Sequence, residues 1–148
     1  MFNKAFTFGR FNIPHLGHAQ LFKVLRQLGS EVVVGVSMSG KNNPMGLRLK
    51  ALRLLDDSVE YTVAATPFDL PITEDDVIIL GQDQEHLANA VSDHFGCATF
   101  LVPRNASQPS STLCRKYIDS GDYKSLLKLI PEESVEISIK LRNEEINS

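Results

Sequence analysis

The sequence has no tryptophan and only two cysteines, Cys97 and Cys114, among its 148 residues. Neither cysteine belongs to a C-x-x-C pair, which argues against a disulfide scaffold and against a structural zinc site. The N-terminus also lacks the basic segment followed by a long apolar segment that marks a secretory signal. Together these features predict reduced thiols and a cytoplasmic protein.

Long apolar runs and an excess of positive charge are also missing. No segment approaches the ~20 apolar residues that a membrane-spanning helix requires, so we expect no membrane partner. The formal net charge of −3 argues against a nucleic acid held by bulk charge. A small anion is still a compatible ligand, because a few well-placed cations outweigh the average charge. The acidic run Glu74–Asp76 is interpreted as a solvated loop rather than a metal site.

Short apolar runs alternate with segments of helical spacing along the chain. Predicted strands are Ala5–Phe8, Val32–Val36, Tyr61–Ala65, Val77–Leu80 and Ala98–Val102. Predicted helices are Leu16–Leu28 (stopped by Gly29), Leu47–Leu55, Glu85–His94, one from near Ser111, Tyr123–Ile130 and Glu133–Arg142, before a frayed tail of about five residues. This alternation predicts the α/β class, with an open parallel sheet flanked by helices. We expect a single domain over residues 1–148, whose C-terminal helical segment spans about 123–142.

Polar segments follow four of the predicted strands. They are residues 9–18, 37–44, 81–84 and 103–112. In open parallel sheets, ligands bind outside the carboxyl ends of the strands, beside the switch in strand order. We therefore expect these segments to converge on one edge of the sheet.

The first of these segments reads G-R-F-N-I-P-H-L-G-H over residues 9–18. Gly9 allows a ligand to approach the backbone closely, and Gly17 leaves room for a flat group. His15 and His18 lie near the first turn of the predicted helix, where unpaired N–H groups and the helix dipole favour phosphate. Taken singly, each histidine is compatible with a metal ligand, a phosphate donor or a polar residue that fills space.

A second segment reads P-S-S-T-L-C-R over residues 109–115. Ser110, Ser111 and Thr112 are residue types that cap a helix, and their hydroxyls and N–H groups also suit phosphate. Arg115 lies one turn further and offers a bidentate fork to the same anion. By itself this segment is equally compatible with a capped helix that carries a solvated arginine.

The two segments together resemble the H-x-G-H and I-S-S-T-x-I-R signatures of the nucleotidyltransferase superfamily, which has a Rossmann-like fold. The resemblance covers about residues 4 to 130. The superfamily includes nicotinamide mononucleotide, phosphopantetheine and FMN adenylyltransferases and the small cytidylyltransferases. It implies that His15 and His18 bind a triphosphate, with His18 stabilising the transition state. Ser111, Thr112 and Arg115 would then hold the β- and γ-phosphates and the departing pyrophosphate, and Ser110 would contact the nucleotide beside them. Metal binding by the histidines is disfavoured, because no third ligand follows at a useful spacing.

Two smaller matches extend the resemblance. Lys41 lies in a loop before a proline, as in several adenylyltransferases, although a loop lysine is usually solvated. Gly81 and Asp83 follow a predicted strand where the family carries a nucleotide-contacting turn; Asp83 is equally suited to cap the next helix. Arg10 is assigned to guide the triphosphate or the acceptor. Gly9 and Phe11 complete the implied nucleotide site.

The resemblance implies transfer of AMP from ATP to a phosphorylated small molecule of the nicotinamide mononucleotide or phosphopantetheine type. Pyrophosphate would be released, and Mg²⁺ would accompany the triphosphate with few protein ligands. The alternatives are cytidylyl transfer from CTP and a nucleotide-binding sensor without turnover. The acceptor and the oligomeric state are left open, and a homo-oligomer is compatible with the sequence.

Overall fold

The protein is described here by a computed structural model in which residues 1–38, 44–103 and 108–147 are placed. The chain divides into two compact units, each assembled from separated segments. The sheet unit comprises Met1–Arg10, Leu21–Ser37 and Val59–Ser107, and the helical unit comprises Phe11–Gln20, Met38–Ser58 and Gln108–Ser148.

The sheet unit contains five parallel strands. They are β1 (Phe2–Gly9), β2 (Gly29–Ser37), β3 (Glu60–Ala64), β4 (Val77–Gly81) and β5 (Ala98–Val102). Their order across the sheet is β3-β2-β1-β4-β5. Apolar side chains of β1, β2 and β4 are buried, as expected for strands of a parallel sheet that is covered on both faces. The predicted Rossmann-like α/β architecture is confirmed.

The strand order reverses between β1 and β4. The chain runs outward from β1 to β3 on one side and then returns to β4 on the other side of β1. The buried hydroxyl of Thr7 in β1 donates to the carbonyl of Ile79 in β4 at 2.7 Å, which ties the two strands together. Gly9 and Gly81 end these two strands, so both lie at the carboxyl edge where such sheets bind ligands.

Six α-helices occur in the described residues, each near a predicted helix. They are α1 (Leu16–Leu28), α2 (Met45–Leu55), α3 (Glu85–Phe95), α4 (Ser111–Ser120), α5 (Tyr123–Leu126) and α6 (Val135–Ile146). The predicted helix over 123–130 is shorter, because α5 ends at Leu126 and turns continue to Ile130. Within the placed residues, no helix is long and apolar enough to cross a membrane.

Gly29 does not stop α1 in the way the sequence suggested. It is the first residue of β2 and lies opposite Phe2 in the sheet. A Cβ atom at this position would lie 2.6 Å from the backbone nitrogen of Ala5. The glycine is therefore needed for the close approach of β2 to β1 rather than for a left-handed helix cap.

The acidic run Glu74–Asp76 is not fully solvated. The connection from β3 to β4 contains a short 3₁₀ helix, Pro67–Asp69, and Asp76 at its end is only 1% exposed. The Asp76 carboxylate accepts from the backbone N–H of Lys4 at 2.9 Å and from that of Thr73 at 2.7 Å. Asp76 thus fixes the loop to the start of β1, and the interpretation as a solvated loop is wrong for this residue.

The helical unit has an apolar core of its own, built from α2, α4, α5, α6 and the loop before α1. Its buried members are Ile13, Ala51, Cys114, Ile118, Leu126, Ile130, Ile137 and Leu141. The frayed tail predicted for the last five residues is wrong, because α6 continues to Ile146. Leu141 anchors this helix in the core, and Glu145 in the next turn forms an ion pair with Arg115.

Candidate functional site

The loop before α1 is held by two side chains of α4. The Ser111 hydroxyl donates to the carbonyl of Ile13 at 2.8 Å, and the Arg115 Nη2 donates to the carbonyl of Asn12. Because Ser111 and Arg115 are one helical turn apart, they contact successive carbonyls of the loop. The second sequence motif therefore fixes the backbone of the first, a role that the sequence did not indicate.

Phe11 adopts an uncommon backbone conformation in this loop. Its φ is +50°, in the left-handed region that bulky residues rarely occupy. Its side chain is only 5% exposed, and its ring meets the His18 ring edge-on with centroids 4.9 Å apart. Surrounding contacts must outweigh the cost of such a conformation, which is typical of functional loops.

Backbone N–H groups fix the hydrogen-bonding state of both histidines. The N–H of Gly17 donates to Nδ1 of His15 at 3.0 Å, and the N–H of His15 donates to Nδ1 of His18 at 3.1 Å. An imidazole whose Nδ1 accepts a hydrogen bond carries its own hydrogen on Nε2 when it is neutral. In the neutral form, both rings therefore carry their hydrogen on Nε2, the tautomer that can donate to a phosphate oxygen.

The two imidazole rings also fix each other's orientation. Their centroids are 3.8 Å apart with an interplanar angle of 25°, so the rings are stacked. A Cβ atom at Gly17 would lie 2.8 Å from Cε1 of His15 and 3.2 Å from the carbonyl oxygen of Pro109. The flat group expected against Gly17 is thus the His15 ring itself, which is only 7% exposed.

The amino end of α1 does not offer the unpaired amides that the sequence led us to expect. The N–H of Leu16 donates to the carbonyl of Leu129 at 2.7 Å, that of Gly17 to His15 Nδ1, and that of His18 to the His15 carbonyl at 3.0 Å. What the helix end itself offers an anion is the positive end of its dipole. The expectation of free amides at this helix was wrong, because the Leu129 carbonyl, the His15 imidazole and the His15 carbonyl accept from them.

The amino end of α4 is different. Ser110, one of the three residues predicted to cap this helix, is the N-cap, and its hydroxyl oxygen accepts from the N–H of Leu113 at 3.1 Å. Among residues 1–38, 44–103 and 108–147, the N–H groups of Ser111 and Thr112 have no acceptor, and Thr112 is exposed. Two amides and one hydroxyl are therefore available to an anion at this end of the helix.

Arg115 is held by hydrogen bonds within the protein. It is therefore not a fully solvated arginine, and only part of its guanidinium is left to bind an anion. Its Nε donates to both carboxylate oxygens of Glu145 in α6 at 3.0 Å, and its Nη2 is used on the Asn12 carbonyl. The side chain is 29% exposed, and its Nη1 has no acceptor within the placed part of the chain. Arg115 is thus oriented by protein contacts while part of its guanidinium stays available for a ligand.

The remaining predicted site residues lie in the sheet unit or outside the placed residues. Gly9 and the exposed Arg10 follow β1, and Gly81 ends β4 with an extended backbone (φ −66°, ψ 153°). Asp83 is exposed within a short 3₁₀ turn, and the N-cap of α3 is Gln84, so Asp83 is not that cap. Lys41 falls within 39–43, outside the described residues.

Neither a preformed metal cluster nor an activated thiol is present in the described parts of the chain. No group of three or more histidine, cysteine, aspartate and glutamate side chains is arranged to hold an ion there. Burial raises the pKa of Cys114 to about 11, although the charge of Arg115 opposes the shift. Cys114 is therefore a thiol at neutral pH and is unsuited to nucleophilic chemistry.

The sequence matches a known protein family, and the structure is similar to known structures. The sequence matches the family described as Cytidylyltransferase-like over residues 6–116, and no curated protein matches it. Two structures of Plasmodium falciparum nicotinic acid mononucleotide adenylyltransferase are similar, one complexed with NaAD and one with APC. Their TM-scores are both 0.66, their identities are 13% and 12%, and each alignment covers 98% of both chains. At these identities the similarity establishes the fold.

Proposed function

This chain belongs to the cytidylyltransferase-like family, and from that premise we propose that it transfers AMP from ATP to a phosphorylated small molecule. An oxygen of the acceptor phosphate attacks the α-phosphorus of ATP. The bond from that phosphorus to the bridging oxygen breaks, and pyrophosphate leaves with the bonding electrons. Since no activated nucleophile is found among the described residues of the site, direct transfer is favoured over a covalent intermediate.

One observation carries the proposal: the helical unit brings together hydrogen-bond donors of several kinds from two distant sequence motifs. The Nε2 donors of His15 and His18 belong to one motif, and the α4 amides and Arg115 belong to the other. Such a set suits a reaction whose transition state accumulates negative charge on phosphate oxygens. Catalysis would then come from positioning and electrostatic stabilisation, as in other phosphoryl transfers.

We assign roles on this basis. His18 stabilises charge on the α-phosphate, and His15 binds the triphosphate beside it. The α4 motif holds the β- and γ-phosphates and the departing pyrophosphate, while Lys41 and Arg10 guide the triphosphate or the acceptor. The proposed nucleotide contacts are Gly9, Arg10, Phe11, Gly17, Gly81, Asp83, Ser110, Ser111 and Thr112.

Magnesium enters this scheme as part of the substrate. Mg²⁺ prefers carboxylate, carbonyl and water oxygens in octahedral geometry. The donors gathered at His15, His18 and α4 are N–H groups, a hydroxyl and a guanidinium, and the carboxylate of Glu145 is engaged with Arg115. These residues do not fit a resident metal site, so the ion would arrive with ATP and be held by its phosphates.

ATP is preferred over CTP on two grounds. The G-R-F opening of the first motif resembles nicotinamide mononucleotide adenylyltransferases, and the similar solved structures are of a nicotinic acid mononucleotide adenylyltransferase. The family description favours cytidylyl transfer as the second candidate. A sensor that binds nucleotide without turnover is the remaining alternative.

The test is a matrix of triphosphates and phosphorylated acceptors, monitored by pyrophosphate release. The acceptors include nicotinamide mononucleotide, nicotinic acid mononucleotide and phosphopantetheine, and each is tested with ATP, CTP, GTP and UTP. We expect release only with ATP and one class of acceptor. Release with CTP alone would replace the adenylyl assignment, and binding without release from any pair would favour the sensor.

A further inference from the structure

Two ion pairs join α4 to α6 in the helical unit. Arg115 of α4 donates to Glu145 of α6 from Nε, at 3.0 Å to each carboxylate oxygen. Arg142 of α6 donates to Asp119 of α4 from Nε at 2.9 Å and from Nη2 at 2.7 Å. The pairs are linked, because Nη1 of Arg142 lies 3.8 Å from Glu145. Both are links between the same helices, yet only the first includes a residue of the proposed site.

We propose that Glu145 is a positioning residue for Arg115, and this inference rests on the proposed function. A guanidinium has five N–H donors in a fixed plane. Glu145 uses the Nε donor, the Asn12 carbonyl uses one on Nη2, and both contacts determine which way that plane faces. The Nη1 donors, which have no acceptor among the placed residues, are thereby directed as a set toward the phosphates.

The contribution of Glu145 is to order the arginine before the ligand arrives. An unrestrained arginine side chain samples many rotamers, and the conformational entropy that it loses on binding a ligand weakens the affinity. In this protein the side chain of Glu145 is itself only 20% exposed, and it belongs to a helix anchored by the buried Leu141. It is therefore a firm support, and Arg115 meets a phosphate with its orientation already set.

The direction in which neutralisation of Glu145 changes phosphate affinity distinguishes a positioning role from a competing one. Glu145 carries a negative charge beside an anion site, so removal of that charge alone would strengthen phosphate binding. If instead Glu145 acts by orienting Arg115, its neutralisation weakens phosphate binding despite the more favourable charge. A rival role, in which Glu145 occupies the place of a phosphate and competes with it, predicts tighter binding.

The experiment measures inorganic pyrophosphate binding to the full chain by calorimetry, with Asp119→Asn as the matched control. Asp119→Asn breaks the other α4–α6 ion pair and leaves the Arg115 contacts in place. We expect Glu145→Gln to raise the dissociation constant about tenfold, and Asp119→Asn to change it less than twofold. Equal weakening by both variants would reduce Glu145 to a helix-packing role, and unchanged or tighter binding in Glu145→Gln would overturn the proposal.

Two further variants keep the test decisive if Glu145→Gln folds poorly. Glu145→Asp retains the charge but withdraws the carboxylate, so we expect weaker pyrophosphate binding; wild-type affinity would contradict the proposal. In the Arg115→Ala background, Glu145→Gln should no longer weaken binding, because Glu145 then has no arginine to orient and only the favourable loss of its negative charge remains; a further weakening would contradict the proposal.

The binding assay separates this inference from the proposed function. A chain that binds pyrophosphate with the expected pattern of variants but releases none from any substrate pair would retain the positioning role and lose the enzymatic one. A chain that turns over normally and shows no effect of Glu145→Gln would lose only the positioning role. Failure of the wild type to bind pyrophosphate would overturn the positioning role.

Discussion

At the scale of single residues, His18 is the most informative position. Its ring contacts Phe11 on one side and stacks on His15, while a backbone amide occupies Nδ1. A donor oriented this firmly is suited to stabilise charge that develops only in the transition state. We expect His18→Ala to lower kcat about 10²–10³-fold, the usual loss for one preorganised donor, with a much smaller change in ATP affinity.

Turnover and ATP affinity of His18→Ala should be measured beside His86→Ala, which removes an exposed histidine of α3. The second variant should match the wild type. Near-normal turnover of His18→Ala would contradict the catalytic role. Unfolding of the wild type by a chelator would instead favour a structural metal held by the histidines.

Cys114 gives the molecule a measurable pH dependence. Burial raises its pKa from 9.0 to about 11 in the folded chain, and burial also raises the pKa of Cys97. Above the unfolded value the unfolded chain loses a proton that the folded chain retains, so the free energy of unfolding decreases as the pH rises. We expect this stabilisation to be complete below pH 9.0 and lost by about pH 11.

Urea unfolding at several pH values checks this expectation. Cys114→Ala should be less stable at neutral pH, because it leaves a cavity, but its stability should depend less on pH between those limits. An unchanged pH dependence in Cys114→Ala would assign the effect to other groups.

Residue roles that depend on local pattern were predictable, and those that depend on partners distant in sequence were not. Ser110 was expected as a cap because its residue type and place before a helix suffice. Glu145 was missed, because its role is defined by Arg115, thirty positions away, and the tail offered no other signal. Asp76 was misjudged for the same reason, since its acceptor role depends on the backbone of Lys4.

At the scale of elements, the spacing of hydrophobic residues along the sequence correctly located the described strands and most of the described helices. Buried apolar runs identify parallel strands, and helical spacing fixed α1 from Leu16 to Leu28 as predicted. The amino ends of α1 and α4 are where the observed hydrogen bonding must be compared with the prediction. Both were expected to present free amides. Those of α1 are instead satisfied by the carbonyls of Leu129 and His15 and by the His15 imidazole, whereas α4 keeps two among the described residues.

Gly17→Ala tests how tightly the start of α1 is built. The added Cβ would lie 2.8 Å from the His15 ring and 3.2 Å from the Pro109 carbonyl, so the ring must move. We expect a loss of about 1–3 kcal/mol in unfolding free energy, as for other overpacked sites, together with a marked loss of turnover. Chemical denaturation and pyrophosphate release measure the two effects.

Gly46→Ala is the control, since it also replaces a glycine in a first helical turn. A Cβ atom there meets no atom of the described residues within 4 Å, so we expect a gain of up to about 1 kcal/mol from helix propensity. Turnover should not change. A Gly17→Ala protein as stable and as active as Gly46→Ala would show that the His15 ring has room to move.

At the scale of the whole molecule, the sequence predicted that polar segments after the strands converge on one sheet edge. For β1 and β4, which flank the switch in strand order, this is the observed arrangement. The division of the chain into two interleaved units could not be read from the sequence, because it depends on which distant segments pack together. It assigns the histidine motif and the Ser110–Arg115 segment to one unit with its own core.

Nucleotide selectivity belongs to this scale, because a ligand that binds only the folded chain stabilises the whole molecule. At one hundred times its dissociation constant, a ligand adds about 2.7 kcal/mol to the free energy of unfolding. Because the triphosphate contacts are shared, a difference between ATP and CTP must come from contacts to the base. We expect MgATP to raise the melting temperature more than MgCTP at equal concentration, with inorganic tripolyphosphate as the control for phosphate contacts alone. Protection by MgCTP equal to or greater than that by MgATP would transfer the assignment to cytidylyl transfer, whereas equal protection by all three would mean that the base is not recognised.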